Sequence, residues 1–268
     1  MIIALIVLAV LFVLYLLALH GRTRHPLLRK LRQWNYAHRG LHGNGVPENS
    51  MAAFRLALEN GYGIELDVHL LADGNLAVIH DASLKRTAGA DVRIEDLTTE
   101  ELENYRLEGT DEKIPTFGQV LQLFDGKAPM IVELKPENGN HDALTQKACK
   151  MLQDYKGLYC MESFDPRCIR WLKKNRPDIV RGQLAHNSLH ELGNVPYILR
   201  FIMTNLLSNF WNTPDFVAYR FCDRNRLSVR IARKFWEIQG VTWTLKTQED
   251  FDTAVREAWI PIFEGFKP

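Results

Sequence analysis

The sequence is short of cysteine and carries no excess of charge of either sign. Its 268 residues include four cysteines, and none forms the Cys-x-x-Cys pair that would suggest zinc or a redox motif. We interpret them as buried free thiols, which suits a reducing compartment. Lysine and arginine total 33 against 32 acidic residues, and no basic stripe interleaved with aromatic residues crosses the body of the chain. Nucleic acid is therefore not an expected partner.

Charged residues are also missing from the first 19 positions, MIIALIVLAVLFVLYLLAL. As a helix this run would extend about 28 Å, close to the thickness of the hydrocarbon core of a membrane. No positive residue precedes the run and no good cleavage site follows it, which favours a transmembrane anchor over residues 1–20 rather than a signal peptide.

A basic segment follows the apolar run. Residues 21–35 contain Arg22, Arg24, Arg29, Lys30 and Arg32, and we predict a basic juxtamembrane linker that lies against anionic headgroups. Because positive flanks stay inside, these residues predict a single-pass membrane protein whose main domain is cytoplasmic.

From position 36 to position 268, short apolar runs alternate with amphipathic stretches. The strand-like runs are 36–41, 63–70, 130–135, 159–164, 179–185, 215–221, 241–245 and 259–266. Helical spacing lies between most of them, with a candidate N-terminal cap for the first helix at Asn49 and a stop at Gly61. Eight strands that alternate with helices predict an α/β fold, the (β/α)8 TIM barrel. A doubly wound open sheet is the rival, weakened because no glycine-rich phosphate loop follows the first strand.

Two segments break this alternation. Between Leu70 and Met130, a turn at Asp73-Gly74 separates two apolar runs, which indicates a hairpin inside an insertion after the second strand. Residues 195–211 are rich in Ile, Leu, Phe and Met but too short and too polar to span a bilayer. They form either a packed crossover helix or an apolar lid that contacts lipid.

Three carboxylates stand inside predicted strands. Glu65 and Asp67 lie two residues apart and therefore point to the same face, and Glu133 occupies the third strand. Three carboxylates from adjacent strands form an all-oxygen site suited to Mg²⁺ or Ca²⁺. The alternative is a pair of buried ion pairs, Glu65 with Arg39 and Glu133 with Lys135, and the spacing alone does not choose between them.

Two histidines, His38 and His80, follow apolar runs in the same part of the chain. Together with a metal and the cations Arg39 and Lys135, they fit phosphoryl chemistry. The metal and the cations would hold a phosphate, while one histidine removes a proton from the nucleophile and the other protonates the leaving oxygen. A histidine at a strand end is more often structural, so this pattern does not settle the matter.

Several motifs resemble those of the glycerophosphodiester phosphodiesterase family. They are AHRG (37–40), PENSMAAF (47–54), GIELDVHLLADGNLAVIHDASLKRTAG (63–89) and IVELK (131–135), followed by SF, RGQL and WT in matching order. The resemblance covers position 36 to the C-terminus. It implies a TIM barrel that hydrolyses glycerophosphodiesters to glycerol phosphate and an alcohol, with one divalent cation, Mg²⁺ or Ca²⁺.

The resemblance also implies roles for individual residues. His38 and His80 take the acid–base roles, and the cation ligands are Glu65, Asp67 and Glu133. The implied substrate contacts are Arg39, Glu48, Asn49, Lys135, Phe164 and Trp243; the two aromatic residues among them line either the pocket or the barrel core. Lys246 and Glu264 depart from the family pattern, and their role stays open.

The apolar N-terminus and residues 195–211 favour catalysis at a membrane surface, in lipid metabolism. The expected substrate is a glycerophosphodiester or a lysophospholipid. One alternative is lysophospholipase D-type activity on lysolipids, and another is a phospholipase D that acts on sphingomyelin-like lipids. A third is a barrel that binds a glycerophosphodiester without catalysis.

Overall fold

The computed structural model of the protein describes residues 1–190 and 195–268. The strands are β1 Tyr36–His38, β2 Gly63–Leu70, β3 Leu76–Val78, β4 Met130–Leu134, β5 Tyr159–Ser163, β6 Arg181–Ala185, β7 Phe216–Arg220, β8 Gln239–Leu245 and β9 Trp259–Phe263. All of them except β3 are parallel neighbours, and β1 pairs with both β2 and β9, so the sheet closes on itself. The predicted TIM barrel is confirmed, and the closure excludes the open sheet.

Helices surround this barrel. They are α1 Ile2–Ala18, α2 Leu28–Leu31, α3 Met51–Glu59, α4 Lys85–Ala88, α5 Phe117–Phe124, α6 His141–Met151, α7 Pro166–Asn175, α8 Tyr197–Thr204, α9 Asn209–Asn212, α10 Leu227–Lys234 and α11 Gln248–Arg256. The larger apolar core lies between the strands and the helices, and includes Phe54, Phe124 and Leu172.

The cap of α3 differs from the prediction. Ser50 Oγ accepts a hydrogen bond from the Ala53 amide at 3.1 Å, as an N-terminal cap does. Asn49 is therefore not the cap, because its backbone has a φ of +51° and its side chain donates to Asp67 Oδ2 at 2.9 Å. The stop at Gly61 is confirmed, since this residue takes a φ of +74° directly beyond the helix end.

The hairpin insertion after the second strand is confirmed. β2 and β3 pair in antiparallel fashion across the Asp73-Gly74 turn, and the Asn75 amide donates to Asp73 Oδ1 at 3.0 Å. The insertion has an apolar cluster of its own, which includes Ile79, Ile94 and Leu107. It ends before α5, and it sets His80 two residues beyond β3, beside the end of β2.

Residues 19–35 pack against the end of the barrel at which the strands begin. Leu28 and Leu31 join an apolar cluster with Tyr36 and other side chains from inside the barrel. The Arg22 guanidinium pairs with Asp215, whose side chain is fully buried, with Nη2 at 2.7 Å from Oδ2. Residues 19–35 therefore close this end of the barrel, and the contact of the basic residues 21–35 with anionic headgroups stays a prediction.

The N-terminal helix α1 is shorter than predicted. It ends at Ala18 after 17 residues, and no helix in the described part of the chain is long and apolar enough to cross a membrane. The transmembrane helix predicted over residues 1–20 is thus not supported. The last turn of α1 touches the barrel, where Trp236 Nε1 donates to the Leu16 carbonyl at 2.8 Å, while the large apolar side chains from Ile2 to Leu14 are exposed.

Residues 195–211 form α8 and α9, which lead from β6 to β7. The segment is anchored by Tyr219, whose hydroxyl donates to the Thr204 carbonyl at 2.8 Å. Tyr197, Ile198 and Phe201 remain exposed. The segment is therefore a packed crossover that carries an exposed apolar face, and its contact with lipid stays a prediction.

Candidate active site

Polar side chains gather at the end of the barrel where the strands finish, as expected for this fold. They surround a cavity of about 210 Å³, lined by His38, Arg39, Glu65, His80, Glu133, Lys135, Glu162, Phe164, Leu184, Trp243 and Ile262. Asp67 touches the cavity residue Lys135, and Glu48 and Asn49 contact Arg39 and Asp67. All the site residues predicted from the sequence thus lie together.

The three predicted cation ligands form one compact cluster. Glu65, Asp67 and Glu133 each offer an oxygen, and these atoms lie within 4.8 Å of one another. β2 places the first two on one face, and the pairing of β2 with β4 sets Glu133 directly beside Asp67. All three side chains are buried.

Burial and mutual repulsion control ionisation in this cluster. Burial and then the Asp67 charge raise the pKa of Glu65 well above its usual value. Burial raises the pKa of Glu133 to about 7, although Lys135 opposes the shift. Burial also disfavours the Asp67 carboxylate, but Lys135, His80 and Arg39 hold its pKa well below the ordinary range. Buried oxygen donors that repel one another fit a divalent cation, which would offset that repulsion.

The predicted ion pairs are present only in part. Lys135 Nζ lies 2.7 Å from Glu133 Oε1 and 3.1 Å from Asp67 Oδ1. The Arg39 guanidinium pairs with Glu48 at 3.0 Å and with Asp67 at 3.5 Å, whereas Glu65 accepts from the Arg39 backbone amide at 3.2 Å. The carboxylate cluster and the ion pair of Glu133 with Lys135 therefore coexist. The predicted ion pair of Glu65 with the Arg39 side chain is wrong.

His38 lies between the carboxylate cluster and the last strand of the barrel. Its Nδ1 is 2.6 Å from Glu264 Oε2, while its Nε2 is 3.8 Å from Glu65 Oε2. Lys246 Nζ lies 3.0 Å from the other oxygen of Glu264. Since an ionised carboxylate only accepts hydrogen bonds, Nδ1 carries the proton and Nε2 presents a lone pair toward the cluster.

His80, which lines the same cavity, is also paired with a carboxylate. Its Nδ1 is 2.6 Å from Asp81 Oδ1, and Arg86 donates to both Asp81 and Glu48. Burial lowers the pKa of both histidines, and the hydrogen-bonded carboxylates Glu264 and Asp81 work against that shift. Both rings are therefore favoured in the neutral form with Nε2 available.

Aromatic side chains form one wall of the cavity. Phe164 and Trp243 meet edge to face with ring centroids 5.8 Å apart, and Lys135 Nζ lies 5.9 Å from the Phe164 centroid. Both rings also pack on the apolar cluster inside the barrel. They line the pocket and close the core at once, so the two alternatives drawn from the sequence are both correct.

Sequence reasoning missed Glu162 and the partners of the two histidines. Glu162 lies on β5 beside Glu133, is 1% exposed and lines the cavity. Burial and then the Glu133 charge raise its pKa well above the usual range. A carboxylate inside the apolar run YCMES was the available signal. The contact of Glu264 with His38 joins residues 226 positions apart and has no local signal.

Acid–base groups that face buried carboxylates inside a (β/α)8 barrel suit hydrolysis of phosphoric diesters with a divalent cation. The chain belongs to the glycerophosphoryl diester phosphodiesterase family, whose model matches residues 38–262. The predicted resemblance is thereby confirmed.

Related proteins agree with this assignment. A glycerophosphodiester phosphodiesterase from Caldanaerobacter subterraneus subsp. tengcongensis is 30% identical over 231 residues, which is 82% of this chain and 88% of the relative. A putative glycerophosphodiester phosphodiesterase from Bacillus subtilis is 41% identical over 222 residues, 80% and 86% of the two chains. A lysophospholipase D from Rattus norvegicus is 34% identical over 151 residues, 52% of this chain and 45% of the relative.

Solved structures share the fold. A glycerophosphodiester phosphodiesterase from Thermotoga maritima superposes with a TM-score of 0.65 at 26% identity, over 85% of this chain and 92% of the other. An Oleispira antarctica phosphodiesterase, solved with its product sn-glycerol-3-phosphate, gives a TM-score of 0.71 at 21% identity, over 86% and 92% of the chains.

Proposed function

We propose that the chain hydrolyses glycerophosphodiesters to glycerol phosphate and an alcohol, with one divalent cation, Mg²⁺ or Ca²⁺. The observation that carries this proposal is the placement of His38 and His80 on one cavity with the cluster of Glu65, Asp67 and Glu133. When bound at this cluster, a cation would draw negative charge from the phosphate oxygens.

The positive side chains of the site bind the phosphate. Lys135 stays charged in its buried position: burial opposes the charge, but Asp67 and Glu133 raise its pKa above the usual value. Arg39 is held by Glu48 and Asp67 and lines the same cavity. Both residues are oriented before substrate arrives, which lowers the cost of organising charge around the transition state.

The histidines transfer protons. Glu264 and Asp81 fix the neutral rings with Nε2 free, so one histidine accepts the proton of the attacking oxygen. The other donates a proton to the leaving alcohol. The attacking oxygen belongs either to water or to a neighbouring glycerol hydroxyl, and both routes require the same transfer.

The test is a product-resolved assay on glycerophosphocholine and glycerophosphoglycerol, with Mg²⁺ or Ca²⁺ and with chelator as control. We expect release of glycerol phosphate that chelator abolishes, and a loss of about 10²- to 10⁴-fold in kcat for His38→Ala and His80→Ala. The exposed His190→Ala serves as control. Turnover that neither chelator nor the two substitutions reduce would contradict the proposal, and no turnover at all would favour the non-catalytic binding barrel.

A second candidate activity is hydrolysis of lysophospholipids, of the lysophospholipase D type. A largely apolar cavity of about 800 Å³ adjoins the site and shares Phe164 with it. Leu199, Met203 and Trp211 contribute to its wall. Its volume lies in the range of about 300–1,000 Å³ of small-molecule pockets, and it offers apolar surface to an acyl chain that leaves the site past Phe164. Sphingomyelin-like lipids would use the same space.

This candidate is tested by a charge placed in the apolar cavity. We expect Met203→Glu to lower kcat/KM for lysophosphatidylcholine at least about tenfold. The acyl chain of this substrate would have to displace water from an unpaired carboxylate. Hydrolysis of glycerophosphocholine should stay unchanged. Phe235→Glu, at an exposed apolar residue outside this cavity, is the matched control. Equal losses on both substrates would argue against an acyl site.

We further propose that the reaction takes place at a membrane surface, in lipid metabolism. Support comes from the exposed apolar residues of α1 and of α8, which suit contact with lipid. Flotation of the full chain with phosphatidylcholine vesicles, with and without anionic lipid, tests this proposal. Absence of the protein from the vesicle fraction in both cases would refute it.

Placement of the barrel in the cytoplasm stays a prediction, which a fusion to a reporter active on one side of the membrane would test.

A further inference from the structure

A second group of metal-ligating side chains stands beside the carboxylate cluster. His38, His42 and Glu264 each present one ligand atom, and these atoms lie within 4.8 Å of one another. All three residues are half-buried. The two groups share no residue, and they differ in chemistry: the first offers three carboxylate oxygens, whereas the second offers two imidazole nitrogens and one carboxylate oxygen.

The backbone after β1 turns His42 back toward His38. Arg39 and Gly40 take φ values of +54° and +81°, and the His42 amide donates to the Gly40 carbonyl at 3.0 Å. A side chain at position 40 would meet Ala53 Cβ at 2.8 Å, so this tight turn requires glycine. Two imidazoles therefore lie within one turn of chain at the mouth of the site.

Glu264 approaches from the other side, just beyond β9. Lys246 binds its Oε1, which leaves Oε2 directed at His38 Nδ1. His42 Nε2 is shielded from solvent and has no hydrogen-bond partner within residues 1–190 and 195–268. The group thus contains one imidazole that is already oriented by a carboxylate and one with a nitrogen not yet used.

We propose that His38, His42 and Glu264 bind a transition-metal cation of the Zn²⁺ class, and that this binding inhibits the enzyme. Two imidazoles and one carboxylate are a recurrent ligand set for zinc, with water in the fourth position, whereas Mg²⁺ and Ca²⁺ prefer oxygen alone. The inhibitory consequence rests on the hydrolytic function proposed above; the binding does not.

The ligand atoms, which lie within 4.8 Å of one another, must shift by up to about 1.4 Å to reach the spacing of ligands on one zinc ion. Ligands about 2.0–2.1 Å from a tetrahedral zinc lie about 3.4 Å apart, whereas His38 Nδ1 and Glu264 Oε2 are now 2.6 Å apart. The Glu264 carboxylate must therefore withdraw by less than about 1 Å. Its partner Lys246 has a side chain that is 66% exposed and can follow, or turn into solvent, which also relieves its repulsion with the cation.

Inhibition follows from the proton count of an imidazole ring. In the cation-free site, His38 Nδ1 holds the proton against Glu264, and Nε2 has the free lone pair. A cation can bind Nδ1 only through the lone pair that is left when the Nδ1 proton has gone, so the single proton of the neutral ring then resides on Nε2. The ring then neither accepts a proton from the nucleophile nor exists as the doubly protonated acid. Both roles open to His38 are lost, whichever of them it has in the reaction.

The experiment combines binding and inhibition on the full chain. Co²⁺, which absorbs visible light when it binds nitrogen ligands, is titrated without substrate into protein that holds saturating Ca²⁺. Zn²⁺ inhibition of glycerophosphocholine hydrolysis is measured in parallel. The variants are His42→Ala and, should that one fold poorly, His42→Gln. His25→Ala is the control, because His25 is also half-buried but contacts the Asp178 carbonyl at the other end of the barrel.

We expect His42→Ala to keep its activity without Zn²⁺, to lose the Co²⁺ absorption, and to need at least about tenfold more Zn²⁺ for half inhibition. Loss of a direct ligand should exceed the roughly tenfold effect of losing an outer partner of a metal site. Identical Co²⁺ spectra and Zn²⁺ inhibition in wild type and His42→Ala would overturn the proposal and place the cation in the carboxylate cluster. Absence of Co²⁺ absorption in the wild type would overturn it too. Because the Co²⁺ titration needs no substrate, it stands even if the proposed hydrolysis fails.

Discussion

At the scale of single residues, the two histidines of the site are held in the same way although their partners come from different places. Asp81 follows His80 directly in the chain, whereas Glu264 reaches His38 from the far end of the barrel domain. The first contact could be anticipated from the HD dipeptide. The second depends on ring closure between β1 and β9, and no pattern within the sequence announces it.

Glu264 should matter for turnover more than for substrate binding. Glu264→Gln keeps the shape but removes the charge that holds the proton on His38 Nδ1, so we expect kcat to fall about 10- to 100-fold. This is less than the roughly 10²–10⁴ that acid–base catalysis contributes as a whole. Steady-state kinetics with glycerophosphocholine measures the effect. Lys246→Met is the companion variant, with a smaller loss expected; a rise in KM at unchanged kcat would instead assign Glu264 to substrate binding.

The carboxylate cluster should make the stability of the cation-free protein depend on pH. Burial raises the pKa of Glu133 to about 7, above the value of about 4.3 for a free glutamate. The folded state therefore holds this proton more tightly than the unfolded state, and this contribution to stability is lost as the pH rises through about 7. Thermal unfolding in chelator should show Tm falling between about pH 5 and pH 8.

Added Ca²⁺ should reverse this trend, because the cation replaces the proton as the positive partner. We expect Ca²⁺ to raise Tm more at pH 8 than at pH 5. The control is Glu133→Gln, in which the part of the pH dependence that belongs to this carboxyl group should disappear. A Tm that rises steadily with pH in chelator, as if the carboxylates were stabilised by ionisation, would contradict the electrostatic account.

At the scale of secondary-structure elements, the sequence predicted where strands lie better than where they end. The run predicted as 36–41 stops at His38 because Arg39 and Gly40 adopt positive φ, and the run 259–266 stops at Phe263 shortly before Gly265, which has a φ of +83°. Apolar content continues past both points, so the pattern does not reveal the turn. The strand predicted as 241–245 begins earlier, at Gln239.

The packing of residues 19–35 against the barrel allows a direct test. Leu31 is 1% exposed and belongs to the apolar cluster inside the barrel, whereas Leu27, four residues earlier, is 38% exposed. We expect Leu31→Ala to lower the free energy of unfolding by about 2–5 kcal/mol, the usual cost of a buried leucine cavity, and Leu27→Ala to change it by less than about 0.5 kcal/mol. Urea denaturation measures both. If the two variants were equally stable, Leu31 would not hold residues 19–35 against the barrel.

At the scale of the whole molecule, the site is assembled from nearly the full length of the barrel domain. The motifs between positions 37 and 135 identify the carboxylates, both histidines and the two cations, because these residues fall in local patterns at strand ends. Glu162 lies on a later strand and lines the cavity. Lys246 and Glu264 follow the last two strands, and only the circular order of the strands brings Glu264 to His38. Local patterns therefore predict the chemistry, and closure of the barrel supplies its electrostatic surroundings.

The same closure determines where the chain can be shortened. α1 touches the barrel through its last turn, but Leu19 is fully buried and Arg22 pairs with the fully buried Asp215. We expect a chain that begins at Leu19 to keep wild-type Tm and kcat on glycerophosphocholine. A chain that begins at Pro26 should be less stable by about 3–5 kcal/mol, because it leaves a buried carboxylate without its partner.

Asp215→Asn in the chain that begins at Pro26 distinguishes this cause from a general loss of packing. The amide carries no charge to be desolvated, so the substitution should restore part of the lost stability there and lower stability in the chain that begins at Leu19. Thermal unfolding is measured for both shortened chains, each with and without Asp215→Asn. The substitution should raise Tm in the chain that begins at Pro26 and lower it in the chain that begins at Leu19. If Asp215→Asn lowered Tm equally in both backgrounds, the Arg22–Asp215 pair would not be what fixes residues 19–35 to the barrel.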